Sequence, residues 1–188
     1  MGNKIKQSLR WISFVVVSFL FSLSSQAAPR LAFQVYAVRD LCAKDFIGTL
    51  KAAKAMGRII RDIPYARESG RFGLGDLYLP ERVTPETPVV LTIHGGGWSA
   101  GDRYSWSGVA EFFCRELGCV SFNIEYRLAS AANRWPACGD DCVKAANWLF
   151  TDDFRKHAGF SPKKIYICGG SAGGHLTLWT LVNMPPEK

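Results

Sequence analysis

The sequence lacks the clustered basic residues that mark a nucleic-acid-binding protein. Its net charge is +7, from 23 basic and 16 acidic residues, but the basic residues are scattered and do not alternate with aromatic ones. Part of the excess is local, since Lys4, Lys6 and Arg10 lie at the start of the chain. A nucleic-acid surface needs its basic side chains gathered on one face. We therefore predict no nucleic-acid partner and attribute the charge to solubility.

An apolar run long enough to span a membrane is also missing near the N-terminus. The run from Trp11 to Leu23 covers 13 residues, whereas a membrane-spanning helix needs about 20. A basic start precedes it and the small-residue site Ser25-Gln26-Ala27 follows, which is the layout of a secretory signal peptide. We predict a signal peptide over residues 1–28, a secreted or periplasmic protein, and no stable membrane span after cleavage. A retained membrane anchor is the alternative.

Metal-binding patterns are absent as well. The chain has three histidines and six cysteines, and the spacing of Cys138 and Cys142 is not one that zinc sites use. We predict no metal and no other cofactor. Export would place the cysteines in a compartment that permits disulfides. We expect most of the cysteines to be buried and to behave as small apolar residues. One disulfide bridge is the alternative.

The order of the apolar segments predicts an α/β fold. A strand over 31–40 and a helix over 44–57, ended by Gly57, form a first strand–helix unit. From residue 58 onward two short strands suit an antiparallel hairpin, and later strands alternate with helices. Such alternation favours a mostly parallel sheet with helices on both faces. One long helical stretch is expected over 138–159.

The first motif with chemistry is Gly169-Gly170-Ser171-Ala172-Gly173, which satisfies the pattern G-x-S-x-G. A predicted strand precedes it and a predicted helix follows, which is the context that this pattern requires. Small residues let the strand turn sharply into the helix, and the turn exposes the serine oxygen in a strained backbone conformation. We predict Ser171 as a nucleophile.

The second motif is HGGGW, residues 94–98, which follows the buried strand VVLTI. Glycines let the backbone approach a substrate closely, so the N–H groups of Gly95 and Gly96 can point at a developing oxyanion. The N–H of Ala172 would complete this oxyanion hole. Trp98 lines an acyl pocket or is simply packed. The supporting residues of the two motifs are His94, Gly97, Gly169 and Gly173.

With these motifs, "DLYLP", "VVLTIHGGGWSAGD", "NIEYRLA" and "ICGGSAGGHL" carry a resemblance to a known family. Residues 58–188 resemble the first half of an α/β-hydrolase of the HGGG-type esterase and lipase group, close to hormone-sensitive-lipase-like and feruloyl-esterase-like enzymes. The resemblance implies hydrolysis of a small-molecule carboxylic ester through an acyl-enzyme on Ser171. Carbohydrate-linked acyl esters are one substrate class that it suggests, and the oligomeric state stays open.

The triad acid and histidine that usually assist such a serine are not found after Ser171. In the α/β-hydrolase order the triad acid and then the histidine follow the serine along the chain, and only 17 residues follow Ser171. We therefore expect an incomplete α/β-hydrolase fold with impaired turnover, and an inactive fragment or a binding module is the alternative. His175 is a poor base because its side chain leans along the helix. His94 is expected to brace the glycine loop, and His157 to lie at the surface.

Charged residues near the motifs are expected to be structural. Glu125 and Arg127 lie two residues apart at the end of a strand predicted over 119–127, and we expect them to form an ion pair. Asp140 and Asp141 lie near a helix start, where they serve as caps or in structural pairs.

The segment before the hydrolase-like part has a resemblance of its own. "QVYAVRD" and "KDFIGTLKAAKAMG", within residues 31–57, resemble the opening of a xylose-isomerase-like (β/α)8 barrel. A coincidental strand–helix unit is the alternative. The resemblance implies a sugar isomerase as a further alternative, but such barrels carry their metal ligands on later strands, and that pattern does not continue after Gly57. The predicted organisation is a signal peptide (1–28), a strand–helix segment (29–57) and a truncated α/β-hydrolase domain (58–188).

Overall fold

A computed structural model of the chain describes residues 12–19, 33–37 and 56–184, with side chains from residue 57 onward. Seven strands of these residues form one sheet, in the order β2-β1-β7-β5-β6-β4-β3. The strands are β1 (Ile12–Phe19), β2 (Phe33–Ala37), β3 (Met56–Pro64), β4 (Leu74–Pro80), β5 (Val89–Ile93), β6 (Val120–Ile124) and β7 (Ile165–Gly169). The helices are α1 (Ser107–Arg115), α2 (Ala137–Trp148), α3 (Asp152–Ala158) and α4 (Ala172–Asn183), with a 3₁₀ segment at Arg67–Gly73.

The centre of the sheet is parallel. Strand β5 lies between β6 and β7, and Val89 pairs with Val120 on one side and with Ile165 on the other. Strand β4 runs antiparallel to both β6 and β3. The predicted hairpin is thus confirmed, and the sheet of the predicted hydrolase part is mixed, with its parallel strands in the middle.

The other side of the sheet carries the two N-terminal strands. The backbone of β1 runs parallel to β7, with Ile12 opposite Ile165, and β2 runs antiparallel to β1. Strand β2 agrees with the strand predicted over 31–40. The chain thus has a strand within the segment predicted as a signal peptide, and that signal peptide stays a prediction.

The helix end predicted at Gly57 is wrong. Most of the helix predicted over 44–57 lies outside the described residues, but Met56 and Gly57 belong to β3. A Cβ atom at Gly57 would lie 2.9 Å from the Cα of Glu81. Gly57 therefore permits a close backbone contact at the end of the hairpin and does not end a helix.

Helices cover both faces of the sheet, as predicted. The larger core lies between the sheet and helices α2, α3 and α4. Its sheet side consists of alternate residues of the central strands, namely Val89, Leu91, Ile93, Val120, Phe122, Ile124, Ile165 and Ile167. Residues that point the other way, such as Val90 and Tyr166, pack with Phe113 of α1. Both faces are buried, which explains why these strands are continuously apolar in sequence.

The single helical stretch predicted over 138–159 is divided in two. Helix α2 ends at Trp148, and the side chain of Thr151 then accepts a hydrogen bond of 3.3 Å from the backbone N–H of Phe154. This is an N-cap, which begins a new helix and is worth about 1 kcal/mol. Gly159 ends α3 with a φ of 83°.

The five cysteines within the described residues are buried and unbridged: Cys114, Cys119, Cys138, Cys142 and Cys168. The expectation of buried apolar cysteines is confirmed for these five, and Cys42 lies outside the described residues. None of the helices in the described ranges combines the length and the apolar character needed to cross a bilayer.

The start of α4 lies directly against the end of β5. A Cβ atom at Gly173 would lie 2.2 Å from the carbonyl oxygen of Ile93 and 2.6 Å from that of His94. No side chain fits between these backbones without moving them. This contact brings the turn before α4 next to the loop after β5.

We predict that Gly173→Ala destabilises the protein and Gly108→Ala does not. Both glycines are the second residue of a helix, but a Cβ atom at Gly108 would meet nothing within 4 Å. The added methyl group at Gly173 should lower the free energy of unfolding by about 1 to 3 kcal/mol or more, whereas the one at Gly108 should raise it by up to about 1 kcal/mol. Urea unfolding followed by circular dichroism measures both. Equal effects of the two substitutions would contradict the close contact.

Candidate active site

The turn between β7 and α4 holds Ser171 in an unusual backbone conformation. Its φ is 54° and its ψ is −120°, a region that a residue with a side chain occupies only at a cost of about 1 to 3 kcal/mol. The residues after it stabilise the turn, because Gly173 N donates to the Gly170 carbonyl at 2.8 Å and Gly174 N to that of Ser171 at 2.9 Å. Ser171 itself is exposed to solvent.

The loop 94–98 passes directly beside this turn. A Cβ atom at Gly95 would lie 2.8 Å from the Gly170 carbonyl oxygen and 3.3 Å from the Ser171 Cβ. Gly96 and Gly97 have φ values of 123° and 58°, which favour glycine. The structure therefore brings the two predicted motifs together, with Ala172 as the first residue of α4. Gly169 ends β7, and a Cβ atom there would lie 2.4 Å from the backbone of Gly173.

His94 fixes the beginning of the loop from inside the protein. Its ring is fully buried, with Nε2 at 3.0 Å from Glu125 Oε1 and Nδ1 at 2.7 Å from the Gly95 carbonyl oxygen. The ring stacks on Tyr126 at 4.1 Å, and the Tyr126 hydroxyl donates to the His94 carbonyl at 3.0 Å. Both ring nitrogens are therefore engaged away from Ser171, and His94 acts on the loop.

A buried arginine continues this network, and the sequence analysis missed it. The backbone N–H of Arg103 donates to Glu125 Oε2 at 3.3 Å, and its Nε donates to Asp76 Oδ1 at 3.1 Å. Its guanidinium also pairs with Asp62. Arg103 is 4% exposed and Asp76 is 1% exposed. No local pattern marks Arg103, because its acidic partners come from three separate parts of the sheet.

The predicted ion pair between Glu125 and Arg127 is wrong. Arg127 instead binds Asp141 with two hydrogen bonds of 2.8 Å, from Nε and from Nη2. These bonds are the main cause that raises the pKa of the Arg127 guanidinium. The Glu125 carboxylate is already engaged by His94 and Arg103, so its partners lie across the sheet and not two residues along the chain. Asp141 serves in a structural pair, one of its two expected roles.

The other two histidines do not contact the serine hydroxyl. His175 is exposed, and its Nδ1 accepts a hydrogen bond of 3.3 Å from Trp98 Nε1. His157 is half-buried, with Nδ1 at 2.8 Å from the Asp153 carbonyl oxygen. Within residues 57–184 no histidine is hydrogen-bonded to the Ser171 hydroxyl.

The cysteine nearest to Ser171 in the sequence does not compete with it as a nucleophile. Cys168 lies three residues before the serine, but burial raises its pKa to about 12, so it stays a neutral thiol. In the part of the chain that the structure describes, no three His, Cys, Asp or Glu side chains are grouped so that they could hold a metal ion.

Aromatic side chains form a rim beside the turn. Trp98 is 40% exposed and Trp135 is 48% exposed, and the His175 ring lies between them, 5.6 Å from the first and 5.4 Å from the second. We call Trp98, His175 and Trp135 the aromatic rim. Trp135 also packs on Trp179 at 4.5 Å. The sequence analysis left the role of Trp98 open and missed Trp135, which is distant from both motifs along the chain.

Residues 75–184 match the BD-FAE family. The chain is 35% identical over 102 residues to an AB hydrolase superfamily protein of Schizosaccharomyces pombe, which covers 53% of this chain and 29% of that protein. It is 33% identical over 115 residues to carboxylesterase NlhH of Mycobacterium tuberculosis, which covers 59% of this chain and 35% of that protein. A solved hyperthermophilic esterase from the archaeon Pyrobaculum calidifontis superposes with a TM-score of 0.56 at 31% identity, covering 74% of this chain and 44% of that one.

These likenesses agree on the fold and on its extent. The described residues form part of an α/β-hydrolase fold, as the sequence predicts. The chain spans about a third of the length of the two curated relatives and less than half of the solved esterase.

We predict that Glu125→Gln weakens the protein more than the matched surface substitution Glu86→Gln. The two carboxylate oxygens of Glu125 face His94 Nε2 and the backbone N–H of Arg103. After the substitution a single amide oxygen would have to accept from both, so the free energy of unfolding should fall by about 1 to 3 kcal/mol. Glu86 pairs only with the exposed Lys163, and its substitution should leave the urea midpoint unchanged within error. If Glu125→Gln also left the urea midpoint unchanged, the buried network would not support the loop.

Proposed function

Because the chain belongs to the BD-FAE family, we propose that its site serves the hydrolysis of carboxylic esters, with Ser171 as the nucleophile. One observation carries the proposal: the exposed Ser171, at a φ of 54°, lies against the backbone of a glycine loop. A strained turn that exposes a serine beside backbone amides suits attack on a carbonyl group. The carboxylesterase relatives support the same class of substrate.

In the proposed reaction the Ser171 oxygen attacks the ester carbonyl carbon. Negative charge then develops on the carbonyl oxygen, and the N–H groups of Gly95, Gly96 and Ala172 would stabilise it. The dipole of α4, whose N-terminus begins at Ala172, acts in the same direction. The alcohol leaves as the acyl-enzyme forms, and water then releases the acid.

The proton of the serine sets the rate of this reaction. It must pass to a base and then to the leaving alcohol. No histidine in the described ranges is bonded to the Ser171 hydroxyl, so we propose that this chain acylates slowly and turns over little. The same observation favours a second candidate function, a binding module that holds an ester without cleaving it.

The aromatic rim suggests the kind of ester. Its two indoles are 40% and 48% exposed, and the His175 between them lies one helical turn after Ser171. Exposed indole rings offer flat apolar surfaces on which a ring of the substrate can pack. We therefore propose small esters that carry a ring, with carbohydrate-linked acyl esters as the first class to test.

We also propose that residues 1–28 direct export. The expected result is that the full chain, expressed in a secreting bacterium, is recovered outside the cytoplasm with its N-terminus at the Ser25-Gln26-Ala27 site. Intact-mass measurement of the exported protein checks this. An arginine in the apolar run, Val16→Arg, should keep the chain inside and uncut, because the run must stay uncharged. Recovery of an uncut wild-type chain in the cytoplasm would contradict the proposal.

We predict that a fluorophosphonate probe labels Ser171. Intact-mass spectra should show one adduct on the wild-type protein and none on Ser171→Ala. The exposed Ser161 provides the matched control, because Ser161→Ala should keep the adduct. Labelling of Ser171→Ala at the wild-type rate would remove the nucleophile assignment.

The same assay tests the glycine loop and separates the two candidate functions. Gly95→Ala places a methyl group against the turn and should slow labelling by about 100-fold. Gly108→Ala, which lies outside the loop and has free space around its Cβ, should leave the labelling rate unchanged. Release of p-nitrophenol from p-nitrophenyl acetate faster by the wild type than by Ser171→Ala would favour the esterase, and equal rates of the two would favour the binding module.

A further inference from the structure

The glycine loop and the helix behind the serine are joined by a side-chain contact. Trp98 Nε1 donates to His175 Nδ1 at 3.3 Å, and the two rings meet edge to face at 5.6 Å. The backbone N–H of His175 in turn donates to the Ser171 carbonyl at 3.3 Å. His175 thus touches both the loop residue Trp98 and the turn that holds Ser171.

The far end of the loop needs such a contact. Trp98 has a φ of 62°, which is costly for a residue with a large side chain. Its carbonyl accepts from Ala129 N at 2.8 Å, and its exposed indole donates to His175. At the other end His94 is buried and bonded on both ring nitrogens. Between these ends the Gly96 carbonyl accepts from the backbone N–H groups of Ser99 and Ala100, at 3.2 Å and 2.9 Å, but Gly96 and Gly97 have no side chains that could add to these bonds.

We propose that His175 is a positioning residue. Its Nδ1 accepts from Trp98 and thereby fastens the glycine loop to the helix that carries Ser171. We call this contact the Trp98–His175 latch. The effect of this contact on the reaction rests on the proposed function of Ser171, whereas the contact itself rests on the hydrogen bond between the two side chains.

The latch needs a neutral imidazole. Nδ1 can accept the indole N–H only while it carries no proton, so the ring proton lies on Nε2. In the described ranges the hydrogen-bond and ring partners of His175 are the indoles of Trp98 and Trp135 and the backbone of Ser171, none of them charged.

A pair of variants separates the latch from helix stability. The side-chain oxygen of Asn can replace Nδ1 as the acceptor, whereas Leu has nearly the same shape and accepts nothing. The backbone N–H groups of Ala100 and Ala129 donate to the Gly96 and Trp98 carbonyls, so their hydrogen exchange reports on this end of the loop. We expect His175→Asn to keep their exchange near the wild-type rate, and His175→Leu to speed it by about three- to tenfold. Leu is the better helix former, so a purely structural role would give the opposite order.

Two further measurements complete the test. In a Trp98→Phe background, which lacks the indole N–H, the Asn and Leu variants should exchange equally. The indole 1H–15N resonance of Trp98 should stay near its wild-type position in His175→Asn and move in His175→Leu, which removes the acceptor. Equal exchange of the Asn and Leu variants in the Trp98 background, or the same indole resonance in both, would overturn the proposal. These readouts use no substrate, so their failure removes the latch and leaves the phosphonate test of Ser171 standing.

Discussion

The site depends on one contact between backbones, where the first turn of α4 lies against the end of β5. Gly173 has no room for a methyl group there, because the carbonyl oxygens of Ile93 and His94 would lie 2.2 Å and 2.6 Å from it. The contact sets the distance between the serine turn and the glycine loop. A larger residue would separate the nucleophile from the amides that are proposed to serve it.

Around that contact the loop is held by two kinds of interaction. Beneath it lies a buried charge network in which His94, Glu125 and Arg103 satisfy one another. Breaking such a network is costly because its members lie away from water. Above it the Trp98–His175 latch lies at the surface, where one hydrogen bond is worth little. The inner end of the loop is therefore held by buried contacts, whereas the outer end depends on exposed ones.

The sequence predicted those features that depend on residues close together along the chain. The strand–turn–helix around Ser171, the glycine loop, the hairpin and the helices on both faces followed from residues close together in the sequence. The misses involve partners that are distant along the chain. Glu125 was paired with Arg127 because they are neighbours, but the fold brings His94 and Arg103 to it. Trp135 reaches the site from the segment before α2. The break at Thr151 was missed because an N-cap and a helix-interior residue look alike when both flanks are helical.

The pairing of β1 with β7 has a consequence for handling the protein. The backbone of β1 pairs with one side of β7. If export removes residues 1–28, the N–H and C=O groups on that side of β7 lose these partners. Unpaired strand edges recruit strands from other chains, so the processed protein needs a new strand beside β7 to replace the one that it loses.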